Sequence, residues 1–489
     1  MYKPVIGLEI HVELKTKTKM FCDSLNDPDE KHPNINVCPI CMGHPGTLPV
    51  INEEAVKKVI MAGLALNCKI AQDTFFERKN YFYPDLPKGY QISQYQKPLC
   101  ETGFLNISEK KIQITRIHLE EDAGRLYHLP DKDYSLVDYN RAGVPLMELV
   151  TEPDFETGAE VRQFAEELQL IMRYLNISEA DMEKGQMRVE VNISLSNPDG
   201  SWGIKVEIKN LNSIRFAADA VDFEIKRQAE LLEAGEKVIQ ETRGWDENKK
   251  RTFSQRSKEE AHDYRYLPEP DLPPLKLSDI YIDDIRSQMV ELPQQRRERF
   301  KKQYNLPDKD IELFTIDQEL GNYYEHIASE IISFDKLGHL EQPAPEHQDR
   351  LLKLASNYLI TELKRMAADV QVEPSETKIT PEMFADFVVR IFHGQISSSG
   401  AQTLLKEMFQ TGLLPEQIIK EKDLAQVSDA GALIEIVDKV VASNAKAVED
   451  YKKGNEAPLK FLIGMVMRES RGKANPQVVE RILKERLLS

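Results

Sequence analysis

Two hydrophobic periods divide the chain. Up to about residue 290, apolar positions alternate with polar ones in short runs separated by Gly, Pro and Asn turns, a pattern that predicts strands. Beyond Pro293 they recur every three or four residues, which predicts helices, as over residues 351–366, 381–392 and 399–409. The first part also carries helical stretches at 53–66 and 157–175, so it reads as mixed α/β. Between the two parts Pro268, Pro270, Pro273, Pro274 and Pro293 disfavour regular helix and predict a linker or a wrapped extended segment. A weaker break at 412–415, and a last helix opening after Asn475-Pro476, predict a small helical tail. The expected class is therefore α+β: a large mixed α/β domain over 1–293, an all-α domain over 294–411 and a small all-α tail over 412–489.

Several predicted strands carry chemistry on their polar side. Residues 5–14 place Leu8, Ile10, Val12 and Leu14 on one face and Glu9, His11 and Glu13 on the other. Residues 114–122 put Arg116, His118 and Glu120 together, continue into Glu121 and Asp122, and turn at Gly124; Glu148 lies just beyond 140–145. Carboxylates in such rows suit a hard divalent cation such as Mg²⁺, and any strand with one wet face shows the same alternation. Residues 201–208 read as a strand with Lys205, Glu207 and then Lys209 on one side, fit for phosphates, an RNA end or a cross-strand ion-pair ladder. The run Arg78-Lys79-Asn80-Tyr81-Phe82-Tyr83 interleaves cations with aromatics, as a surface for stacking a base or as local core.

The net charge of −17 over 489 residues argues against a nucleic-acid partner until its distribution is considered. Residues 451–489 hold nine Lys or Arg against four Glu, a local +5 that leaves −22 for the rest. The tail is thus the electrostatic candidate for RNA, against the alternative of a solvated helical surface. The chain opens on Met1-Tyr2-Lys3-Pro4 with no signal pattern and has no run near the roughly 18 apolar residues of a membrane span, which predicts a cytoplasmic location.

Five cysteines, Cys22, Cys38, Cys41, Cys68 and Cys100, are too few for a disulfide scaffold. Cys38 and Cys41 form a CxxC knuckle that with Cys22 offers three thiolates to a Zn²⁺, with His32 and His44 nearby as a fourth ligand. Unmetallated thiols and a redox pair stay open as readings. No Walker loop, dinucleotide-binding glycine fingerprint, nucleophile elbow or kinase signature occurs, so nucleotide chemistry here would need a less common pocket.

Read as strings, residues 5–14, 78–94, 118–124, 137–154, 209–213, 263–271 and 472–476 resemble the B-subunit family of the GatCAB tRNA-dependent amidotransferases. Residues 138–148, Asp-Tyr-Asn-Arg-Ala-Gly-Val-Pro-Leu-Met-Glu, are the most specific of these. The resemblance implies a cradle, a helical and a tail domain. It also implies ATP- and Mg²⁺-dependent phosphorylation of the side-chain carboxylate of Glu on tRNA(Gln) or Asp on tRNA(Asn). Within the implied heterotrimer, ammonia would come from an amidase partner, the A subunit, which hydrolyses glutamine, and a small C subunit would tie the two larger chains together. Carried over by position, Glu9, His11, Glu121 and Glu148, with Glu120, are implied metal ligands. Lys205 and Lys209 would offset phosphate charge, and Tyr81, Tyr83 and Lys88 would line the nucleotide pocket. Two departures stand out: Ser24 where zinc-binding members carry a further Cys, and Glu190 where Asp is usual.

Overall fold

The computed structural model describes residues 2–130, 132–197, 199–257, 264–333, 347–426, 430–452, 457–470 and 473–488. Asp263 and Gly472, at the ends of two of the family-like stretches, lie outside the described residues. The chain divides into two compact units, Met1–Pro293 and Gln294–Ser489.

The first unit is built on a nine-stranded sheet. Its strands are β1 (Pro4–Glu13), β2 (Lys69–Ile70), β6 (Cys100–Ile107), β7 (Lys110–Glu121), β10 (Pro145–Thr151), β11 (Met187–Leu195), β12 (Val206–Leu211), β13 (Glu241–Asp246) and β14 (Arg251–Ser257). Their order is β14-β13-β12-β11-β1-β10-β7-β6-β2, antiparallel except between β12 and β13. Smaller pairings join β3 (Asp73–Thr74) to β16 (Leu275–Lys276) and β8 (Arg125–His128) to β9 (Ser135–Asp138). A three-stranded sheet runs β15 (Leu267–Pro268), β4 (Glu77–Asn80), β5 (Tyr90–Ser93).

Helices α1 (Glu53–Ala65), α2 (Gly158–Tyr174) and α3 (Ile214–Glu233) pack on the main sheet, where Ile6, Leu8, Ile10 and Val12 of β1 are buried with Val59, Phe164 and Val221. The alternation read from the sequence is thus a division of faces: apolar side chains go under the helices and polar ones to the opposite side. The proline-rich stretch is the wrapped extended segment rather than a free linker. Its β15 and β16 add to β4 and β3, and α4 (Asp279–Ser287) then packs on α1.

Residues 201–205 are not strand, contrary to the alternation. The polar groups of Ser201 are used locally instead: its carbonyl accepts from Asn197 N–H at 2.8 Å, and its hydroxyl donates to Asp199 at 2.7 Å. β12 therefore begins at Val206, leaving Lys205 exposed outside it.

The second unit is helical: α5 (Pro293–Tyr304), α6 (Asp308–Ile316), α7 (Gln318–Ile332), α8 (Gln348–Tyr358), α9 (Lys364–Asp369), α10 (Pro381–Phe392), α11 (Ser398–Thr411), α12 (Pro415–Glu421), α13 (Ala430–Ser443), α14 (Ala445–Lys452), α15 (Ala457–Glu469) and α16 (Pro476–Leu488). One apolar cluster runs from Phe300 to Ile418 and another from Leu433 to Leu487. Gly412 ends α11 in the left-handed conformation at φ 74°, yet the first cluster continues through Ile418 of α12. The change of core falls after α12, because one glycine cap stops a helix without stopping the burial of the next one.

Candidate metal centre on the sheet

Strand register brings the site together. His11 of β1 lies opposite Glu148 of β10, and Glu148 lies opposite His118 of β7. A single row across three central strands therefore reads imidazole, carboxylate, imidazole. Glu120, two residues beyond His118, shares its face. His11 Nε2 is 3.3 Å from Glu148 Oε2 and 3.5 Å from Glu120 Oε1. His118 Nε2 is 3.5 Å from Glu148 Oε2 and 3.7 Å from Glu120 Oε2. Ser93 of β5 donates to Glu120 at 3.2 Å, and Arg116 stands 3.7 Å from Glu148 Oε1.

Glu9 joins from the other end of the row. Its carboxylate groups with His11 and Glu148, and a second group comprises His118, Glu120 and Glu148; within each, one donor atom per residue lies within 4.8 Å of the others. Two carboxylates and an imidazole fit a divalent cation in either group. Among the described residues the Nδ1 atoms of His11 and His118 have no hydrogen-bond partner, and each ring meets the carboxylates through Nε2.

The electrostatics follow from burying acids beside bases. Burial would lower the His11 imidazolium, but Glu120 and Glu148 outweigh it and raise it to about 10. Burial would raise Glu148, yet His118 and His11 hold it down to about 2, and Glu120 is likewise held well below the carboxylate range by His11, His118 and Lys79. Glu9 moves up, through burial and then the charge of Glu148. A divalent cation would replace the proton that His11 carries in this arrangement.

Around the row lie other charges. Lys79 of β4 is kept charged against burial by Glu120, Tyr266 and Glu148, and its ammonium sits 5.1 Å over the Tyr264 ring. Tyr266 stacks on Tyr95 at 4.5 Å, and Tyr81 meets Tyr264 edge-on at 5.9 Å. Burial pushes the Tyr266 phenol up to about 12. On the β11 side, Lys209 reaches Glu190 at 2.5 Å and Glu207 at 3.3 Å, so Glu190 takes the lysine's shorter contact. Arg141 pairs with Glu13 at 2.7 Å and with Asp122, while Arg188 reaches Asp122 at 3.1 Å.

The expected site residues do not all meet. Glu9, His11, Glu120 and Glu148 converge. Glu121, next in sequence to Glu120, points elsewhere: its carboxylate takes Lys88 at 2.6 Å and the Ile92 N–H at 2.9 Å, because successive strand residues face opposite sides. Lys88 is thereby tied to Glu121, and Tyr83 is exposed in a surface hollow with Phe82, Pro84 and Leu86. His118 and Lys79 belong to the site although neither stands out in the sequence as a ligand. The signals for His118 are the alternation it shares with Glu120 and its place at the head of the family-like stretch 118–124, and Lys79 needs the β4–β5–β15 sheet to bring it there.

The three thiols Cys22, Cys38 and Cys41 form a third group, with the Cys38 N–H donating to Cys41 Sγ at 3.1 Å. Neither His32 nor His44 joins it. Ser24 Oγ is 3.9 Å from Cys41 Sγ, and the fully buried Lys19 ammonium is 3.8 Å from the same sulfur and 3.2 Å from the Tyr139 carbonyl oxygen. The hydrogen bond from Cys22, with help from Lys19, lowers the Cys41 thiol to about 4.

The fold and the donor sets together define a class, a mixed-sheet domain with a His/Glu cluster, whose donors could hold a divalent cation, beside fixed positive charge. A family model described as the GatB/GatE catalytic domain matches residues 4–283, and one described as the GatB domain matches 340–487. The chain belongs to the GatB/GatE family. The B subunits of the aspartyl/glutamyl-tRNA(Asn/Gln) amidotransferases of Caldicellulosiruptor saccharolyticus and Carboxydothermus hydrogenoformans are each 47% identical to it, and that of Thermotoga maritima 46%, over 99% of both chains. Among the described residues, no helix is long and apolar enough to cross a membrane.

Proposed function

We propose that this chain is the carboxylate-activating component of a tRNA-dependent amidotransferase, a carbon–nitrogen ligase acting on Glu-tRNA(Gln), Asp-tRNA(Asn) or both. The observation that carries this reading is the buried His11–Glu148–His118 row, set within the stretch matched as a catalytic domain. A free carboxylate is a poor electrophile. An oxygen of the aminoacyl side chain attacks the γ-phosphorus of ATP, the bond to the bridging oxygen breaks and ADP leaves. Ammonia then attacks the acyl carbon and expels phosphate. Glutamine hydrolysis on an amidase partner supplies the ammonia, and a small third chain joins the two larger ones.

Glu9, His11 and Glu148, with Glu120 beside them, would hold Mg²⁺, which would supply neutralisation of phosphoryl charge. Lys79, beside Glu120 and Glu148, and Lys209, beside Glu9, present fixed positive charge around the cluster and would stabilise charge as it builds on the phosphoryl oxygens; Lys205 stands exposed outside β12. Tyr81 and Tyr83 offer aromatic surface to the nucleotide. Glu121 acts through Lys88 as a positioning pair rather than as a ligand. At the thiols, Cys22, Cys38 and Cys41 would hold Zn²⁺ with a fourth position open to Ser24 or solvent. Three thiolates and Zn²⁺ sum to −1, which the Lys19 ammonium offsets. The tail over 412–489 serves as the tRNA-contacting domain, and the reaction belongs with translation in the cytoplasm.

The test uses the chain assembled with its amidase and small-chain partners. ATP- and Mg²⁺-dependent conversion of Glu-tRNA(Gln) to Gln-tRNA(Gln) is measured with glutamine and, separately, with free ammonia. Conversion with either donor, lost at least a hundredfold in Glu148→Gln or His11→Ala while glutamine hydrolysis persists, is the expected outcome. Binding of tRNA without conversion by the unaltered complex would mean a docking scaffold instead.

A further inference from the structure

We propose that Tyr95, stacked on Tyr266, and Arg116 form a nucleoside subsite beside the His/Glu row, taking the 3′-terminal adenosine of the aminoacylated tRNA. The inference rests on the tRNA-dependent reading above. The Tyr95 and Tyr266 rings lie 4.5 Å apart and 14° from parallel, so Tyr266 covers one face of Tyr95. Tyr95 nevertheless stays 53% exposed, and among the described residues neither ring joins the apolar core of the first unit. An aromatic pair outside the core, with one ring open to solvent, offers a base a flat surface on which to stack.

The platform is held still. Tyr95 N–H and Gln96 N–H both donate to the buried Glu77 carboxylate at 2.8 Å. Gln94 donates to the Thr74 hydroxyl at 2.8 Å and accepts from Leu119 N–H at 3.1 Å. Leu119 lies between His118 and Glu120 on β7, so these bonds fix the platform against a strand of the row itself. A surface already ordered gives up little conformational freedom when a ligand lands on it.

Arg116 connects the platform to the chemistry. Its Cζ is 5.7 Å from the Tyr95 ring centroid, and its Nη2 is 3.7 Å from Glu148 Oε1. Its Nε is buried and, among the described residues, has no hydrogen-bond partner. The guanidinium thus stands beside both the ring and the carboxylate with a donor unmet, which suits the phosphate or the ester carbonyl of a nucleotide. Tyr266 belongs to the same neighbourhood: burial, and then the charges of Glu120 and Glu148 against that of Lys79, raise its phenol. An adenosine on Tyr95, with its ester at Arg116, directs the aminoacyl side chain toward Glu148.

Two sources of adenosine meet in the reaction, ATP and the tRNA end. A triphosphate calls for the several cations gathered around the acids, Lys79 and Lys209 among them, whereas one guanidinium matches one phosphodiester. A site that serves either Glu-tRNA(Gln) or Asp-tRNA(Asn) must also read what the two share, and the terminal adenosine next to the reacting ester is common to all tRNAs.

The experiment uses the full chain assembled with its amidase and small-chain partners. Tyr95→Ala and Arg116→Gln should each raise KM for Glu-tRNA(Gln) about tenfold and leave KM for ATP where it was. Uncharged tRNA(Gln) carrying 2-aminopurine in place of the terminal adenine should lose fluorescence on binding. Tyr95→Phe should keep that quenching and Tyr95→Ala should abolish it, which separates stacking from a failure to fold. A rise in KM for ATP alone assigns the platform to the nucleotide co-substrate and overturns the proposal. Unchanged constants together with unchanged quenching in Tyr95→Ala overturn the subsite altogether. Quenching that depends on Tyr95 in a complex without conversion supports the subsite and overturns only the activating role; a complex that binds no tRNA overturns both.

Discussion

Gly143 shows how one residue ties two parts of the first unit together. Its φ of 87° lies where a side chain is strained, its N–H donates to the Asp122 carbonyl at 2.8 Å and its own carbonyl accepts from Met20 N–H at 2.8 Å. An added Cβ would have Cys41 Cβ at 3.4 Å and Lys19 Cδ at 3.5 Å. Space is therefore adequate and conformation is the cost: Gly143→Ala should destabilise by ~1–2 kcal/mol, read as a shift in the urea midpoint of the first unit. Glu224 of α3 is a second telling residue. It is wholly buried, held by Arg227 at 2.8 Å and Arg243 at 3.1 Å, and hydrogen-bonded by Gln228 at 3.1 Å. Burial would raise its carboxyl, but Arg227 and Thr252 hold it below its usual value. A depressed carboxyl stabilises the fold above the unfolded value near 4.5 and loses that contribution as pH falls through the folded one. Acid titration followed by near-ultraviolet circular dichroism should show this loss. Glu224→Gln should remove it, at a cost of roughly 3–5 kcal/mol at neutral pH because Arg227 loses its carboxylate and Arg243 is left with the Glu241 carboxylate alone.

Elements decide which of these residues meet. β1 is central because β11 pairs with it over Pro4–Val12 and β10 over Glu9–Glu13, and this registers His11 against Glu148 on one side and Arg188 on the other. A one-residue slip would send Glu9, His11 and Glu13 to the helix side, where Ile10 and Val12 are fully buried. The hydrophobic alternation of β1 thus fixes the register of the site as well as the core. α3 depends on a local signal: Ser213, straight after β12, accepts from Phe216 N–H at 3.2 Å and caps the helix. Ser213→Ala should cost ~1 kcal/mol in the same unfolding measurement, and Ser213→Asp should restore most of it.

At the scale of the molecule, the two units carry separate cores, so a chain ending at Pro293 should fold by itself and keep Mn²⁺ binding. Affinity for tRNA should fall in that fragment if the basic tail makes the contact. Part of the tail's charge is spent locally: Lys473 pairs with Asp423, Lys484 with Glu480 at 2.6 Å and Arg486 with Asp438 at 3.0 Å. Lys460, Arg468 and Arg481 are exposed on α15 and α16 and are the better candidates for phosphate contact. Replacing all three by Gln should flatten the slope of log affinity for tRNA against log salt by about two to three, since each phosphate contact contributes ~0.7–0.9. An unchanged slope would return the tail to being a solvated surface.

Much of this was legible in one dimension. Alternation located β1 and β7, helical periodicity located α1, α2 and α10 to within a residue or two, and the family strings pointed to Glu9, His11 and Glu148. These are local properties, because side-chain period and turn chemistry act within a few residues. Sequence neighbours could not decide between Glu120 and Glu121, for which the sheet face chose the first and gave the second to Lys88. Nor could they bring Lys79 beside Glu120, align His118 with Glu148, set Lys19 against three thiols or stop β12 short of Lys205. The first two depend on strand order and register, which arise from burial summed over the whole sheet and leave no mark at the residues themselves; the last two depend on how loops outside the strands fold back on their own polar groups.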